Sequence, residues 1–376
     1  MIPINRPSID REEINAVTKV LKSGFLSEKC GSGPNVKKFE GAFAEFVGAK
    51  HAVAVSSGTA ALHSALLAAG IRAGDEVIVP SFTFHATAGA VILAGARPVF
   101  ADIDPETYCI TAETIKQAMT SKTKAIIPVD MYGLCVDMKP VIEFARSRGL
   151  VIIEDAAQAH GAEYDGKRAG SMNPLTCFSF YAGKNMTTGE GGMVTTNSDS
   201  LAEQVRIIRT HGEKRPYWVI RQGTNYHMTE LSAAIGLVQL KKLPRFLVKR
   251  RKNAEHITEA LSGIDELVLP TEPSGRKHAW YLFTLRLRNA GAKSRDRFVE
   301  KLHAQGIGAA VYYAVPVHML PLYHQLLPNY YNMQRAGRSL LPETVRACNQ
   351  VFSLPVHPQV KPDDLILIVK SVKLSL

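Results

Sequence analysis

Lys184 stands among small residues in the stretch TCFSFYAGKNMTTGEGGMV, Thr176 to Val194. An apolar run ends at Ser179 and Phe180, Ala182 and Gly183 leave space beside the amine, and glycines precede the next apolar run. Most lysines are solvated surface groups, but one held in a tight pocket loses its proton readily and becomes a nucleophile. Two upstream stretches suit such an amine. Asp155 closes the run LVIIE, so a hydrophobic strand brings its carboxylate to the rim of a sheet, where burial demands a partner. Ser57-Gly58-Thr59 follows HAVAV and opens a helix rich in Ala and Leu, which places backbone N–H groups, hydroxyls and a close-approach glycine where a phosphate can bind. An ordinary Ser or Thr N-cap reads the same way.

An amine, a carboxylate and an anion cradle are the parts a pyridoxal phosphate lysine requires. Lys184 joins the cofactor aldehyde as a Schiff base, and Asp155 pairs with the pyridine nitrogen, which keeps the ring an electron sink. Gly58 and Thr59 hold the phosphate, Ser179 adds a hydroxyl, Phe84 in SFTFHAT stacks on the ring, and Gln158 bonds the ring hydroxyl. Each residue also has a bland reading. Asp155 caps a helix in AAQAH, Phe84 is core, and Ser179 is a satisfied strand serine.

The elements that must bring these residues together follow from the pattern. From His51 onward, near-continuous apolar runs alternate with helical stretches, which argues for a mostly parallel sheet covered by helices on both faces, with ligands beyond the carboxyl ends of the strands. Two helices precede it, Ser8 to Lys22 and one through Val36, Phe39, Phe43 and Phe46, ended by Gly24 and Gly48. Asp137 to Arg148 reads as a further helix. Pro244 is expected to break or restart the helical region after Thr229. The boundary is set there, giving a large domain, 1–245, and a smaller α+β domain, 246–376. In the latter WYLFTLRL and IGAAVYYAVPV read as strands, Arg295 to Gln305 as a helix, and FSLPVHP as a turn.

Composition bounds the rest. The 376 residues are 46% hydrophobic, enough for a large core. No run reads as a membrane span or secretory signal, so a soluble cytoplasmic protein without a membrane partner is expected. The five cysteines, Cys30, Cys109, Cys135, Cys177 and Cys348, are scattered without a C-x-x-C pair, which argues against disulfides and a metal site. The net charge is +11, with basic concentrations at Arg206–Arg221 and Lys241–Lys252. No nucleic-acid module accompanies them. An anionic metabolite is the better match, with Arg209, Lys214, Arg215 and Arg221 the candidates for a diphosphate.

Together SSGTAALHSAL, GDEVIVPSFTF, IIEDAAQAHGA, FSFYAGKN with TTGEGG, NYHMTELSAAIGLVQL and FSLPVHPQV resemble the DegT/DnrJ/StrS sugar-nucleotide aminotransferases, from about residue 5 to the end. The resemblance implies the fold of aspartate aminotransferase (the type I fold of pyridoxal phosphate enzymes) and a homodimer with active sites shared at the interface. It also implies a ping-pong reaction. L-Glutamate would convert the cofactor to pyridoxamine phosphate, and the amine would pass to a 3- or 4-keto, 6-deoxy sugar on a nucleoside diphosphate, with Lys184 as general base and acid. The resemblance gives Gly58, Thr59, Phe84, Asp155, Gln158 and Ser179 the cofactor contacts above.

There are two departures. His227 in NYHMTE stands where relatives carry Arg or Asn that reach the phosphate from the partner subunit, and the tract SEKCGSGPN, near the sugar nucleotide in the family, is longer than usual. Relatives with histidine at the Schiff-base position remove a hydroxyl instead, and Lys184 speaks against that. A non-catalytic regulatory homologue is the other alternative, opposed by the intact Lys184, Asp155 and phosphate turn. A nicotinamide dehydrogenase is set aside because Gly189–Gly192 lacks the G-x-G-x-x-G spacing.

Overall fold

The computed structural model describes residues 1–29, 33–326 and 341–376. Cys30 and the centre of the SEKCGSGPN tract lie outside the described residues. Seven strands form the central sheet: β1 (His51–Val55), β2 (Glu76–Pro80), β3 (Arg97–Ala101), β4 (Thr123–Ile126), β5 (Val151–Asp155), β8 (Leu175–Ser179) and β9 (Gly192–Thr196). Between β5 and β8 a small hairpin, β6 (Glu163–Tyr164) and β7 (Lys167–Arg168), pairs with Arg276–Lys277 outside the sheet. The sheet order is β1-β9-β8-β5-β4-β2-β3. Neighbours are parallel except β9, which runs antiparallel to both β1 and β8.

Parallel pairs need long crossovers, and helices supply them. These are α3 (Gly58–Ala68), α4 (Ala86–Leu93), α5 (Ala112–Ala118) and α6 (Met138–Arg148), with α7 (Asp199–Arg209) following β9. Successive strand residues point to opposite faces, so each strand feeds two cores. Val53, Val55, Ile153, Leu175 and Cys177 pack with α3 and α7 on one side, while Ala52, Ala54, Ile152 and Phe178 lie in clusters on the other. That double burial is why the strands read as unbroken apolar runs.

The two leading helices are α1 (Arg11–Ser23), capped by Asp10 and closed by Gly24 at φ 68°, and α2 (Pro34–Val47), closed by Gly48 at φ 80°. Both pack on α8 (Glu230–Leu261), a 32-residue helix. The expected break at Pro244 is corrected here: α8 runs through it, and through the proposed boundary at 245. A mid-helix proline costs about 3 kcal/mol, but tertiary packing grips both sides of it. Leu240 and Leu243 lie in the large core, Lys242 meets Glu13 at 2.9 Å, and Ala254, Ile257 and Leu261 anchor the far half. That far half belongs to a separate cluster with Phe283, Leu285, Leu302, Phe352, Leu354 and Ile368.

Two further expectations change. IGAAVYYAVPV is not a strand: it makes single bridges, Ile2 to Ile307 and Ala310 to Ser353, then leaves the sheet. Residues 312–315 line the cavity described below instead. FSLPVHP begins as a strand, because Val351–Leu354 pairs antiparallel with Phe283–Leu287 and only the prolines beyond turn. Among the described residues no helix is long and apolar enough to cross a membrane, and the four described cysteines are buried free thiols.

One buried ion pair ties the large unit together. Arg209, at the end of α7 and 1% exposed, donates to Glu40 Oε1 at 2.7 Å and to the Ala54 carbonyl at 2.8 Å, while Glu40 also accepts from the Ala54 N–H at 2.8 Å. Truncating Glu40 to Ala removes the carboxylate paired with that buried guanidinium, so urea unfolding of the variant should show a loss of about 3–5 kcal/mol. A loss below about 1 kcal/mol would contradict the pairing.

Candidate active site

A cavity of about 1240 Å³ opens at the carboxyl ends of the parallel strands. Gly58, Thr59, Phe84, Asp155, Gln158, Ser179 and Lys184 all line it. Four separate loops thus meet at one place, although well over a hundred residues of chain separate Gly58 from Lys184.

Strand β5 delivers Asp155. Its Oδ2 accepts from Thr87 Oγ1 at 2.8 Å, its Oδ1 from the Ala157 N–H at 3.2 Å, and no helix follows, so the N-cap reading falls. Burial pushes this carboxyl above its usual range, opposed by Thr87, Ala157 and the nearby Lys184 charge. Lys184 lines the same cavity from the turn after β8, its N–H donating to the Tyr181 carbonyl at 2.9 Å. Asn5 donates its side-chain amide to the Gly183 carbonyl and so fixes the lysine's backbone from the N-terminal segment. Burial brings the Lys184 amine down to about 8, with Asp155 acting the other way.

The third wall is the start of α3. Ser57 caps the helix, accepting from the Ala60 N–H at 3.1 Å, which leaves Gly58 and Thr59 among the first-turn amides without an intrahelical acceptor. Close packing builds the cradle: a Cβ on Gly58 would lie 2.7 Å from Ser179 Cβ, and one on Gly192 would lie 2.2 Å from the Ser57 carbonyl. Ser179 Oγ accepts from the Tyr181 N–H at 3.3 Å and keeps its proton to donate. Phe84 is half exposed on the cavity wall, 6.3 Å from the Tyr313 ring. Gln158 is held at both ends, accepting from the Tyr132 N–H at 2.8 Å and donating to the Tyr313 hydroxyl at 3.3 Å, so its second amide proton remains for a ligand.

The basic candidates do not join this set. Arg209 is corrected outright, since its guanidinium is buried against Glu40 and Ala54. Arg221 donates to Gln204 and, at 2.8 Å, to the Leu67 carbonyl, away from the cavity. Lys214 and Arg215 lie on the exposed hairpin of Glu213–Arg215 and Trp218–Val219, with the Arg215 guanidinium 4.9 Å from the Trp218 ring. His227 stands outside this chain's cavity, 3.3 Å from Thr210 Oγ1, where burial and the neighbouring Arg209 and His211 disfavour its charged form.

Sequence reasoning missed Thr87, Asn5, Tyr281 and Tyr313. Thr87 carried a faint signal as a polar residue in the first turn after SFTFH. The others carried none, because tertiary structure alone brings them to the site.

Comparison with known proteins agrees. The sequence profile of the DegT/DnrJ/EryC1/StrS aminotransferase family matches residues 7–373. The chain belongs to this family. It is 41% identical to the GDP-perosamine synthase of Caulobacter vibrioides over 86% of this chain and 87% of that one. A pleiotropic regulatory protein of Geobacillus stearothermophilus is also 41% identical, over 95% and 93%. Among solved structures, DesV of S. venezuelae in complex with a ketimine intermediate superposes with a TM-score of 0.88 at 35% identity, covering 97% of this chain and 94% of that one. A putative sugar aminotransferase of Streptococcus pneumoniae in its PLP form gives 0.91 at 27% identity, over 100% and 98%.

The α/β architecture is therefore that of the pyridoxal phosphate aminotransferases, and the chain is an enzyme of the sugar aminotransferase class. This chain's residues fit that cofactor. A glycine cradle at a helix start suits its phosphate, and a buried carboxylate hydrogen-bonded to a threonine hydroxyl and a backbone amide, with no cation bonded to it among the described residues, suits a protonated ring nitrogen. The half-buried amine facing that carboxylate suits the aldehyde. Because the neutral amine is the nucleophile, uptake of pyridoxal phosphate by cofactor-free protein should accelerate as pH rises through about 8 and then level off. Stopped-flow absorbance against pH measures this; a midpoint near that of a solvated lysine would contradict the burial argument.

Proposed function

We propose that the protein, as a cytoplasmic homodimer, moves the amino group of L-glutamate to a 3- or 4-keto, 6-deoxy sugar on a nucleoside diphosphate in a ping-pong reaction. The observation that carries this reading is that Lys184 and Asp155 line one cavity, near enough to act on each other's charge, together with the start of α3. When bound, pyridoxal phosphate supplies the electron sink and stores the amine between the two substrates.

This chain's residues do the rest. The α3 amides of Gly58 and Thr59, with the Ser179 hydroxyl, bind phosphate; Asp155 holds a proton on the ring nitrogen; Phe84 and Gln158 orient the ring. Lys184, lowered toward neutrality, takes the proton from the donor's α-carbon and returns it as general acid. His227 of each subunit serves the partner's site, and the diphosphate draws on Lys214 and Arg215 in the same manner, since both stand outside their own cavity. Similarity to a pleiotropic regulatory protein keeps a second reading in view, that of a binding protein that retains the cofactor without turnover.

Incubating cofactor-loaded protein with L-glutamate should release about one 2-oxoglutarate per site, and Lys184→Ala should release none. Asp155→Asn should slow that half-reaction about 10²–10³-fold, the range for losing one preorganised electrostatic partner. Retention of the cofactor with no 2-oxoglutarate from wild type would favour the regulatory reading.

A further inference from the structure

The Lys184 ammonium lies over the face of Tyr281, 4.6 Å from the ring centroid. Both partners are held by their backbones. Tyr281 donates its N–H to the Tyr132 carbonyl at 3.0 Å, and its own carbonyl accepts from Arg250 Nη1 at 3.1 Å. On the other side Asn5 grips the Gly183 carbonyl, and Asn5 Oδ1 in turn meets Arg250 Nη2 at 3.5 Å. The contacts close a circuit: lysine backbone, Asn5, Arg250, tyrosine backbone, aromatic face, lysine ammonium. Arg250, almost fully buried, spends Nη1 on the Trp280 and Tyr281 carbonyls, so the circuit's central strut is rigid.

We propose that Tyr281 is a positioning residue, the resting place of the Lys184 ammonium, with Asn5 and Arg250 fixing the distance between them. An aromatic face attracts a cation and has no comparable hold on a neutral amine. Position is therefore coupled to protonation. Between transfers the protonated lysine rests on Tyr281, while the neutral amine, which the ring does not hold, is free to move toward the donor's α-carbon. The other groups facing the amine are Asp155, which favours its charge, and His160, held neutral by burial. The hydroxyls of Tyr312 and Tyr313 are pushed up by burial and stay neutral, and Tyr181 and Glu190 also line the cavity. Among the described residues, Tyr281 is the one whose ring lies under the ammonium.

The inference rests on the functional reading only in taking Lys184 as the reactive amine. Its test needs neither substrate nor cofactor, so the two can fail separately. Full-length protein freed of cofactor is labelled with trace acetic anhydride across a pH series, and the Lys184 peptide is quantified by mass spectrometry. Tyr281→Leu should lower the labelling midpoint by about half a unit to one and a half units, while Tyr281→Phe, which keeps the face, should leave it unchanged. Should Tyr281→Leu not fold, Asn5→Ala, at a half-buried position in the N-terminal segment, should lower the midpoint in the same direction by loosening the lysine's backbone. An unchanged midpoint in Tyr281→Leu or in Asn5→Ala overturns the proposal, as does a Phe variant that falls as far as the Leu variant.

Discussion

A carboxylate at the floor of a cavity is costly unless a cation meets it, and Asp155 is in that position. Its hydrogen-bond partners are neutral, a threonine hydroxyl and a backbone amide, so the charge it carries is left facing the cavity. Lys184 comes from the turn after the neighbouring strand β8, near enough for Asp155 to act on its charge, and is itself partly desolvated. Two groups that would each rather be fully hydrated are thus partly withdrawn from water by the fold. A ring with a cationic nitrogen at one end and an electrophilic carbon at the other would satisfy both.

The sheet makes that facing possible. β5 and β8 are parallel neighbours in register from Ile153–Leu175 to Asp155–Cys177, so the carboxylate and the start of the lysine turn emerge at the same edge. The antiparallel β9 returns the chain between β8 and β1, bringing Gly192 directly under Ser57. Any side chain at 192 would collide with that carbonyl, and any at 58 with Ser179. The glycines of TTGEGG and SSGT are therefore halves of one close approach, which draws the start of α3 against the lysine loop.

Much of this was legible in the sequence where local chemistry dictates structure. Apolar runs buried on both faces, N-caps, and glycines at helix ends located the strands, the turns and the seven residues that line the cavity. What was not legible depended on contacts across the fold. Pro244 reads as a breaker, and only the packing of Leu243 on one side and Ala254 on the other keeps α8 whole. Arg209 reads as a surface cation, and only Glu40, presented by a different helix, turns it into core. Asn5 and Tyr281 belong to segments far apart in the chain that nothing in their neighbourhoods marks as functional.

The central claim is that the cofactor is anchored by Lys184 with its ring nitrogen on Asp155. Borohydride reduction of pyridoxal phosphate-loaded protein followed by peptide mapping tests it most directly. The cofactor should be fixed on the Lys184 peptide alone, with markedly weaker retention in Asp155→Asn. Attachment to another lysine, or no covalent attachment at all, would contradict it.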